Sequence, residues 1–302
     1  MKHTENAMIS TNPLTLIDPQ SGNLALKVVD FTDSGGFDHL QRHNYFSVIW
    51  IKEGQALLKA DFSEYSVGGG AMLFFGPYQP FLLNAPGPLV GSVIYFHSDF
   101  FCIFRHQADI ETNGVLFNNV YQPPYVTVDP ATALVFDSLL AQMRTEMQRP
   151  ALSQYELLVS YLKIILIQAT RLKVDQTPDS QPESVAQDEP FILQQLKTSI
   201  EANFRLKHAP ADYAELLSLT PKALGKIAKK HFQKTLTDLI AERIVVEAKR
   251  ELYLTGKPVK SIAYELGFGD EYHFSRFFKN HTDVSPQRYR TTVGSGRQTA
   301  LN

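Results

Sequence analysis

A polar segment at residues 174–190, VDQTPDSQPESVAQDEP, most constrains how this chain of 302 residues can fold. It is rich in Pro, Ser, Gln, Asp and Glu and has almost no large apolar side chain. Such a segment buries too little apolar surface to offset the entropy lost on ordering, so we expect a flexible linker at residues 174–189. Because the chain also exceeds the size of one ordinary core, we expect separate domains on the two sides.

The two sides of the predicted linker differ in charge. Residues 1–189 carry 11 Lys and Arg against 20 Asp and Glu, a formal charge of −9, whereas residues 190–302 carry 18 against 11, a formal charge of +7. Contact with phosphate backbones requires a basic module, and here the basic residues 190–302 follow an acidic domain. Chance segregation of charge is the alternative.

Residues 24–102 show the pattern of a β-domain. Short apolar or alternating runs, among them YFSVIWI, AMLFF and GSVIYFH, are separated by glycine and proline turn signals. Several short strands at near-regular spacing indicate an antiparallel β-sandwich or barrel, which we place at residues 1–129.

The hydrophobic period changes after Pro130. The segments PATALVFDSLLAQMRTEM and LSQYELLVSYLKIILIQATRLK place apolar residues at intervals of three and four, which predicts two amphipathic helices at residues 130–173. The apolar side of the second helix is broad enough to pack on the β-domain and on a second copy of itself. We therefore expect a connector that also serves dimerisation.

Residues 257–290 predict a helix-turn-helix unit. One side of a short helix is apolar, and Gly267 supplies the left-handed position that ends this helix. Asp270 then caps the next helix, whose Phe274 and Phe278 face inward. The opposite face carries hydrogen-bonding and cationic groups: Glu271, Tyr272, Ser275, Arg276 and Lys279. Such groups suit a helix that reads a DNA groove, although a solvated face without function is the alternative.

Residues 211–233 repeat this design. Thr220 is the expected cap and Pro221 the first helical residue. The outward face carries four cations around one glycine: Lys222, Gly225, Lys226, Lys229 and Lys230. Between the two units lies one long predicted helix of about 20 residues or 30 Å, which suits two reading helices on adjacent turns of DNA.

The region from Phe191 to Arg290 resembles the DNA-binding domain of the AraC/XylS family of transcription regulators. The resemblance rests on an ordered series of motifs: the first helix-turn-helix, AERIVVEAKREL, KSIAYELGF, HFSRFFKNH and VSPQRYR. It implies an α+β chain with a cupin-like antiparallel β-barrel, dimerisation-type helices, and an all-α domain at residues 190–292. In that domain a long helix joins two helix-turn-helix units, and a disordered tail at residues 293–302 follows.

The family pattern also implies which residues contact DNA. Base-reading positions fall on Lys222, Gly225, Lys226, Glu271, Tyr272, Ser275 and Arg276. Backbone contacts are expected from Lys229, Lys230, Lys279 and Arg290, although Arg290 can equally cap a helix. Because Gly225 has no side chain, we expect the first unit to contribute mainly phosphate contacts through its lysines.

The same resemblance implies an effector site in the barrel. His39 and His43 lie four residues apart, and Phe81 stands where a metal-binding cupin often has a later histidine, so we expect no metal and no cofactor. Five aromatic residues are candidates for a small-molecule pocket: Tyr45, Trp50, Phe74, Tyr78 and Phe81. The same rings would equally fill a barrel core without a ligand.

These observations predict a cytoplasmic, sequence-specific regulator that binds double-stranded DNA, a small-molecule effector, a second copy of itself and, as an activator, RNA polymerase. No catalytic loop or metal-binding motif is present in the sequence, and the single cysteine, Cys102, excludes an intramolecular disulfide. We therefore expect that the protein is not an enzyme. The alternative is a cupin-fold small-molecule-binding protein or enzyme whose basic helical domain binds polyanions without specificity.

Overall fold

The computed structural model describes residues 14–19, 22–33, 36–61, 63–101, 115–149, 151–176 and 191–294. The chain forms two compact units, one of Met1–Phe117 with Pro124–Val174 and one of Asn118–Pro123 with Asp175–Asn302. Cys102, most of the predicted linker and residues 295–302 of the predicted tail lie outside the described residues.

The first unit is built on antiparallel strands. In chain order these are β1 (Leu14–Ile17), β2 (Leu24–Phe31), β3 (Phe46–Glu53), β4 (Gln55–Ala60), β5 (Ser63–Gly68), β6 (Ala71–Phe75), β7 (Phe81–Asn84), β8 (Val90–Phe96) and β9 (Tyr125–Thr127). One sheet has the order β1-β2-β8-β3-β6-β9 and the other the order β5-β4-β7. The prediction of an N-terminal antiparallel β-domain is confirmed.

The large sheet has a hydrophobic core on each face. Alternate residues of β3, such as Ile49 and Ile51, face the small sheet and pack with Leu58, Phe81 and Leu83. The intervening residues Phe46, Val48 and Trp50 belong to the core on the other face. Both faces of β3 are therefore buried, which explains its continuous apolar run.

Two helices cover the outer face of the large sheet: α1 (Pro130–Gln148) and α2 (Gln154–Asp175). Asp129 caps α1 by accepting hydrogen bonds from the backbone N–H groups of Ala131 and Thr132, both at 3.0 Å. Phe136 of α1 packs edge-on against Trp50, with ring centroids 5.9 Å apart. The second helix ends at Asp175, so the first two residues of the predicted linker are helical.

The second unit is helical, as the sequence predicts. Its helices are α3 (Phe191–Asn203), α4 (Pro210–Leu216), α5 (Pro221–Phe232), α6 (Leu236–Leu254), α7 (Val259–Glu265), α8 (Glu271–Thr282) and α9 (Pro286–Thr292). The long helix α6 forms the centre of this unit, and Ile240, Ile244, Ala248 and Leu252 are fully buried along it. Thr235 and Asp238 form a capping box at its start.

Candidate nucleic-acid interface

The first helix-turn-helix unit consists of α4, a short turn and α5. Ser218 in the turn has a left-handed backbone with φ of 54°. The hydroxyl oxygen of Thr220 accepts a hydrogen bond from the backbone N–H of Ala223 at 3.2 Å, so α5 begins where the sequence predicts. Leu224, Ala228 and Phe232 are buried against the rest of the unit, which fixes the opposite face outward.

The second unit consists of α7, a turn at Gly267 and α8. Gly267 has φ of 77°, and a Cβ atom there would lie 2.3 Å from the carbonyl oxygen of Arg205. Only glycine fits this position, for both conformational and steric reasons. The Oδ1 atom of Asp270 accepts a hydrogen bond from the backbone N–H of His273 at 2.7 Å, and Phe274 and Phe278 are fully buried.

The helices α5 and α8, the predicted reading helices, end in the same way. Gln233 after α5 and Asp283 after α8 adopt left-handed backbone conformations, with φ of 57° and 62°. Each residue occupies a conformation that glycine adopts at lower cost. The backbone of the two units is therefore closely similar at the ends of α5 and α8, although the sequences differ.

The electrostatics of the helical unit separate two groups of cations. Arginines and lysines around α6 are paired with carboxylates: Arg205, Arg243 and Arg250 contact Glu247, Lys234 contacts Glu242, and Lys257 contacts Glu251 and Glu265. The cations on α5 and α8 form no ion pair within the described part of the chain: Lys222, Lys226, Lys229, Lys230, Arg276 and Lys279. Their charge remains available to an external anion.

The predicted base-reading residues lie on the outward faces of α5 and α8. Lys222, Lys226, Tyr272 and Arg276 are exposed, whereas Gly225, Glu271 and Ser275 are half-buried. A Cβ atom built on Gly225 would meet nothing within 4 Å, so the backbone there borders open space. Tyr272 is 88% exposed. The structure therefore places the predicted residues on two surfaces, one on each reading helix.

The predicted backbone contacts divide into two groups. Lys229, Lys230 and Lys279 are exposed on α5 and α8. Arg290 instead directs its guanidinium into the unit, where Nε donates to the carbonyl oxygen of Leu252 at 3.2 Å and a terminal nitrogen donates to that of Lys257 at 2.7 Å. Of the two roles that the sequence left open for Arg290, these bonds fit helix capping, and the DNA-backbone contact of Arg290 stays a prediction.

The predicted effector residues do not line one pocket. Trp50 and Phe74 belong to the core beneath α1 and α2, whereas Phe81 lies in the core between the two sheets. Tyr78 is half-buried with a left-handed backbone, and Tyr45 is half-buried beside His43. The sheet topology explains this division. Trp50 and Phe74 lie on neighbouring strands of the large sheet and share the face toward α1 and α2, whereas Phe81 lies on β7 of the small sheet.

A polar and aromatic cluster that the sequence analysis missed lies near Phe81. His43 stacks on Tyr45 with ring centroids 4.7 Å apart, and Tyr95 approaches both rings edge-on. The Nζ atom of Lys27 lies 6.0 Å from the centroid of the Tyr95 ring. Burial, with repulsion from His39 and Lys27, lowers the pKa of His43, so this ring is neutral at pH 7. The one sign of this cluster in the sequence was that Lys27 and Tyr95 lie within apolar strands, which are neighbours in the sheet.

In the parts of the chain that the structure describes, no three His, Cys, Asp or Glu side chains lie close enough to hold a metal ion. None of the helices seen in those same ranges is both long and apolar enough to cross a membrane.

Comparison with known proteins agrees with these features. Residues 34–161 match the family model of an AraC-like ligand binding domain, and residues 213–292 match that of a helix-turn-helix domain. The HTH-type transcriptional activator RhaS of Citrobacter koseri is 23% identical over 252 residues, which cover 82% of this chain and 86% of RhaS. RhaS of Salmonella arizonae is 22% identical over 261 residues, with the same coverage of both chains.

Solved structures of similar proteins include an apo variant of ToxT from Vibrio cholerae. It aligns with 90% of this chain and 98% of its own, at 16% identity and a TM-score of 0.40. The C-terminal domain of the response regulator AraT from Geobacillus stearothermophilus aligns with 37% of this chain and 94% of its own, at 24% identity and a TM-score of 0.35.

A ligand-binding β-domain followed by two helix-turn-helix units defines a DNA-binding transcription regulator. The chain belongs to the AraC family of transcription regulators.

Proposed function

We propose that the chain recognises a specific sequence in double-stranded DNA by placing α5 and α8 in the major groove. The observation that carries this proposal is the set of cations on these two helices, which pair with no carboxylate in the described chain while those around α6 do. A set of exposed cations on two helices, with no ion pair among the described residues, matches a polyanion with a fixed spacing of charges.

The chemistry of α8 suits direct reading of bases. Arg276 is exposed and can donate two hydrogen bonds to a guanine, and Glu271 in the first turn can accept from a cytosine. Tyr272 presents an aromatic ring to a thymine methyl or a phosphate. Ser275 completes the proposed base-reading set on this helix.

The chemistry of α5 suits close approach to the DNA backbone. Lys222 and Lys226 flank Gly225, whose missing side chain lets a phosphate or a base edge approach the helix. Lys229 and Lys230 follow on the next turn and, with Lys279 of α8, supply the proposed phosphate contacts. We infer that α8 contributes more of the sequence specificity than α5.

Selection of random duplexes by the full-length protein at near-physiological salt tests this function. The proposal expects a retained motif about two helical turns long, because each unit reads one segment of the groove. Parallel selections with Arg276→Ala and with the matched control Arg149→Ala, an exposed arginine after α1, separate base reading from general attraction. Retention of DNA without any common motif would contradict sequence-specific recognition and favour a module that binds polyanions generally.

We propose that the β-domain holds a small-molecule effector at the cluster of Lys27, His43, Tyr45 and Tyr95, with Phe81 beneath it. The cluster combines a cation, hydrogen-bonding groups and ring faces, which is the mixture that orients a small ligand. Trp50 is the single tryptophan of the chain and lies on β3, the strand that follows Tyr45. A screen of metabolites by tryptophan fluorescence and melting temperature tests the site. A hit that binds Tyr95→Phe and His43→Ala as tightly as the parent would place the effector elsewhere.

We further propose a homodimer formed through α1 and α2. Leu157 and Ile164 are 39% and 40% exposed on α2, and Leu134 on α1 is 73% exposed. Sedimentation of Leu157→Lys and Ile164→Lys tests this, with Leu152→Lys, a fully exposed loop position, as the control. If both helix variants sediment as the parent does, the dimer does not use this face.

The remaining elements of the proposal follow from a regulatory role. We infer that residues 1–173 form the effector-responsive part, that residues 174–189 connect it to the DNA-binding domain, and that the protein acts in the cytoplasm without catalytic activity. Because its relatives carry the name transcriptional activator, RNA polymerase is the further partner that we propose.

A further inference from the structure

The segment Asn118–Pro123 forms part of the helical unit, although its neighbours on both sides belong to the β-unit. Both of these neighbours are held at Phe74 of β6. The ring of Phe117 packs edge-on against the ring of Phe74 at 5.5 Å, and the carbonyl oxygen of Pro124 accepts a hydrogen bond from the backbone N–H of Phe74 at 2.8 Å.

Tyr121 is the principal side chain of this segment. Its hydroxyl donates a hydrogen bond to Oε1 of Glu201 in α3 at 2.8 Å, and its ring lies 6.0 Å from the ring of Phe232, the last residue of α5. Glu201 also accepts from Nε of Arg243 in α6, at 2.9 Å to each oxygen. Burial and the neighbouring carboxylate raise the pKa of Tyr121, so its hydroxyl stays a donor at physiological pH.

Val120 makes the second contact with the end of α5. Its side chain is buried, and its carbonyl oxygen accepts a hydrogen bond from Nζ of Lys234 at 3.4 Å. Lys234 follows α5 by two residues, and its Nζ pairs with Glu242 of α6 at 2.6 Å. This ion pair is almost wholly buried, and Nζ of Lys234 bonds both Glu242 and the carbonyl oxygen of Val120.

We propose that Tyr121 is a positioning residue for the first reading helix, and that residues 118–123 hold the end of α5 against α3 and α6. This inference rests on the proposed role of α5 in DNA recognition. The end of α8 has a different support, because Phe278 packs on Tyr289 of α9 with ring centroids 5.6 Å apart. Residues 118–123 therefore act on the first helix-turn-helix unit and leave the second helix-turn-helix unit unchanged.

Because Tyr121 contacts only the first helix-turn-helix unit, a positioning role can be distinguished from general stabilisation of the helical unit. A change that merely destabilises the helical unit weakens the base preferences of both halves of the DNA site together. A change that frees the end of α5 weakens only the half that α5 reads. Lys226→Ala and Arg276→Ala identify the two halves, because each removes an outward side chain from one reading helix.

The experiment uses the full-length chain and measures affinity and base preference at each position of the selected duplex. Tyr121→Phe keeps the ring contact with Phe232 and removes the bond to Glu201, while Tyr121→Ala removes both. The matched control is Tyr155→Phe, whose hydroxyl donates to the carbonyl oxygen of Phe100 in the β-unit at 2.6 Å. We expect Tyr121→Phe to lower affinity by up to about tenfold, because a reading helix that is held less firmly must be ordered when DNA binds.

The positions of the duplex at which Tyr121→Phe loses base preference test the positioning role. The inference expects reduced base preference only at positions that Lys226→Ala affects, with the Arg276 positions and the Tyr155→Phe control unchanged. Equal weakening of both halves, or a Tyr121→Phe protein that matches the parent, overturns the inference while the proposed function stands. If the parent itself selects no motif, the proposed function fails and this inference fails with it.

Discussion

The guanidinium of Arg290 in α9 donates a hydrogen bond to the carbonyl oxygen of Leu252 near the end of α6, at 3.2 Å. A second bond to the carbonyl oxygen of Lys257 fixes the chain that leaves α6 toward the second helix-turn-helix unit. The carbonyl of Leu252 lies in the last turn of α6 and has no partner within that helix, so the cation satisfies it and also interacts favourably with the helix dipole.

Arg290→Ala is expected to destabilise the helical unit. Loss of hydrogen bonds to a half-buried charged group typically lowers the free energy of unfolding by about 1.5 to 3 kcal/mol. Urea unfolding followed by circular dichroism measures the change, and Arg288→Ala, an exposed arginine two residues earlier, is the control. Equal stability of the two variants would contradict the capping role.

The proposed phosphate contacts predict a graded response to salt. Each of Lys229→Ala, Lys230→Ala and Lys279→Ala is expected to reduce the slope of log affinity against log salt concentration by about 1, because each lysine displaces about one condensed counterion. Binding titrations at several salt concentrations measure the slope. Lys59→Ala on β4 should leave it unchanged, since Lys59 pairs with Glu64 at 2.7 Å. An unchanged slope in the three helix variants would remove these lysines from the interface.

Gly267→Ala is expected to disrupt the second helix-turn-helix unit. The substitution places a Cβ atom against the carbonyl oxygen of Arg205 and imposes a left-handed conformation that costs about 1 to 2 kcal/mol before the clash is counted. Gly269→Ala is a matched control two residues away, because a Cβ atom there meets nothing within 4 Å. Thermal unfolding and affinity for the selected duplex should fall in Gly267→Ala alone. Similar losses in both variants would show that the turn merely needs flexible residues.

The stability of the β-unit is expected to depend on pH because Lys173 is buried. Burial at the end of α2 lowers the pKa of Lys173 from 10.5 to about 8 in the folded protein. Below pH 8 both states are protonated and the folded state carries the full cost of the buried charge. Between pH 8 and 10.5 the unfolded chain binds more protons, so stability rises with pH, by on the order of 3 kcal/mol in full.

The comparison of Lys173→Met with the parent isolates this contribution, because other titrating groups are common to both proteins. The stability of the parent should rise relative to the variant between pH 7 and pH 10 in urea unfolding. A constant difference between parent and Lys173→Met would mean that Lys173 keeps its ordinary pKa when folded.

Local signals in the sequence were sufficient to predict both helix-turn-helix units. Thr220, Gly267 and Asp270 act on backbone groups within a few residues of themselves, so their roles follow from sequence position alone. The inward faces of the reading helices follow in the same way, because Phe274 and Phe278 lie one turn apart. The base-reading assignments themselves remain predictions.

Contacts between distant parts of the chain were beyond the reach of sequence patterns. The alternation in β3 indicates two faces but not which of them meets α1 and α2, and both are buried, so Trp50 and Phe81 could not be assigned to different cores. Arg290 and Tyr121 form bonds with residues 38 and 80 positions away in the chain. No local periodicity encodes such partners.

Competition between the selected duplex and a scrambled duplex of equal length tests base reading by α8, with the parent and Arg276→Ala compared at one salt concentration. The account predicts that Arg276→Ala loses about 1 to 3 kcal/mol of affinity for the selected duplex and little for the scrambled one, because one base contact disappears and the charge pattern otherwise remains. If the variant discriminates between the two duplexes as well as the parent does, α8 does not read bases through Arg276 and the proposed interface is contradicted.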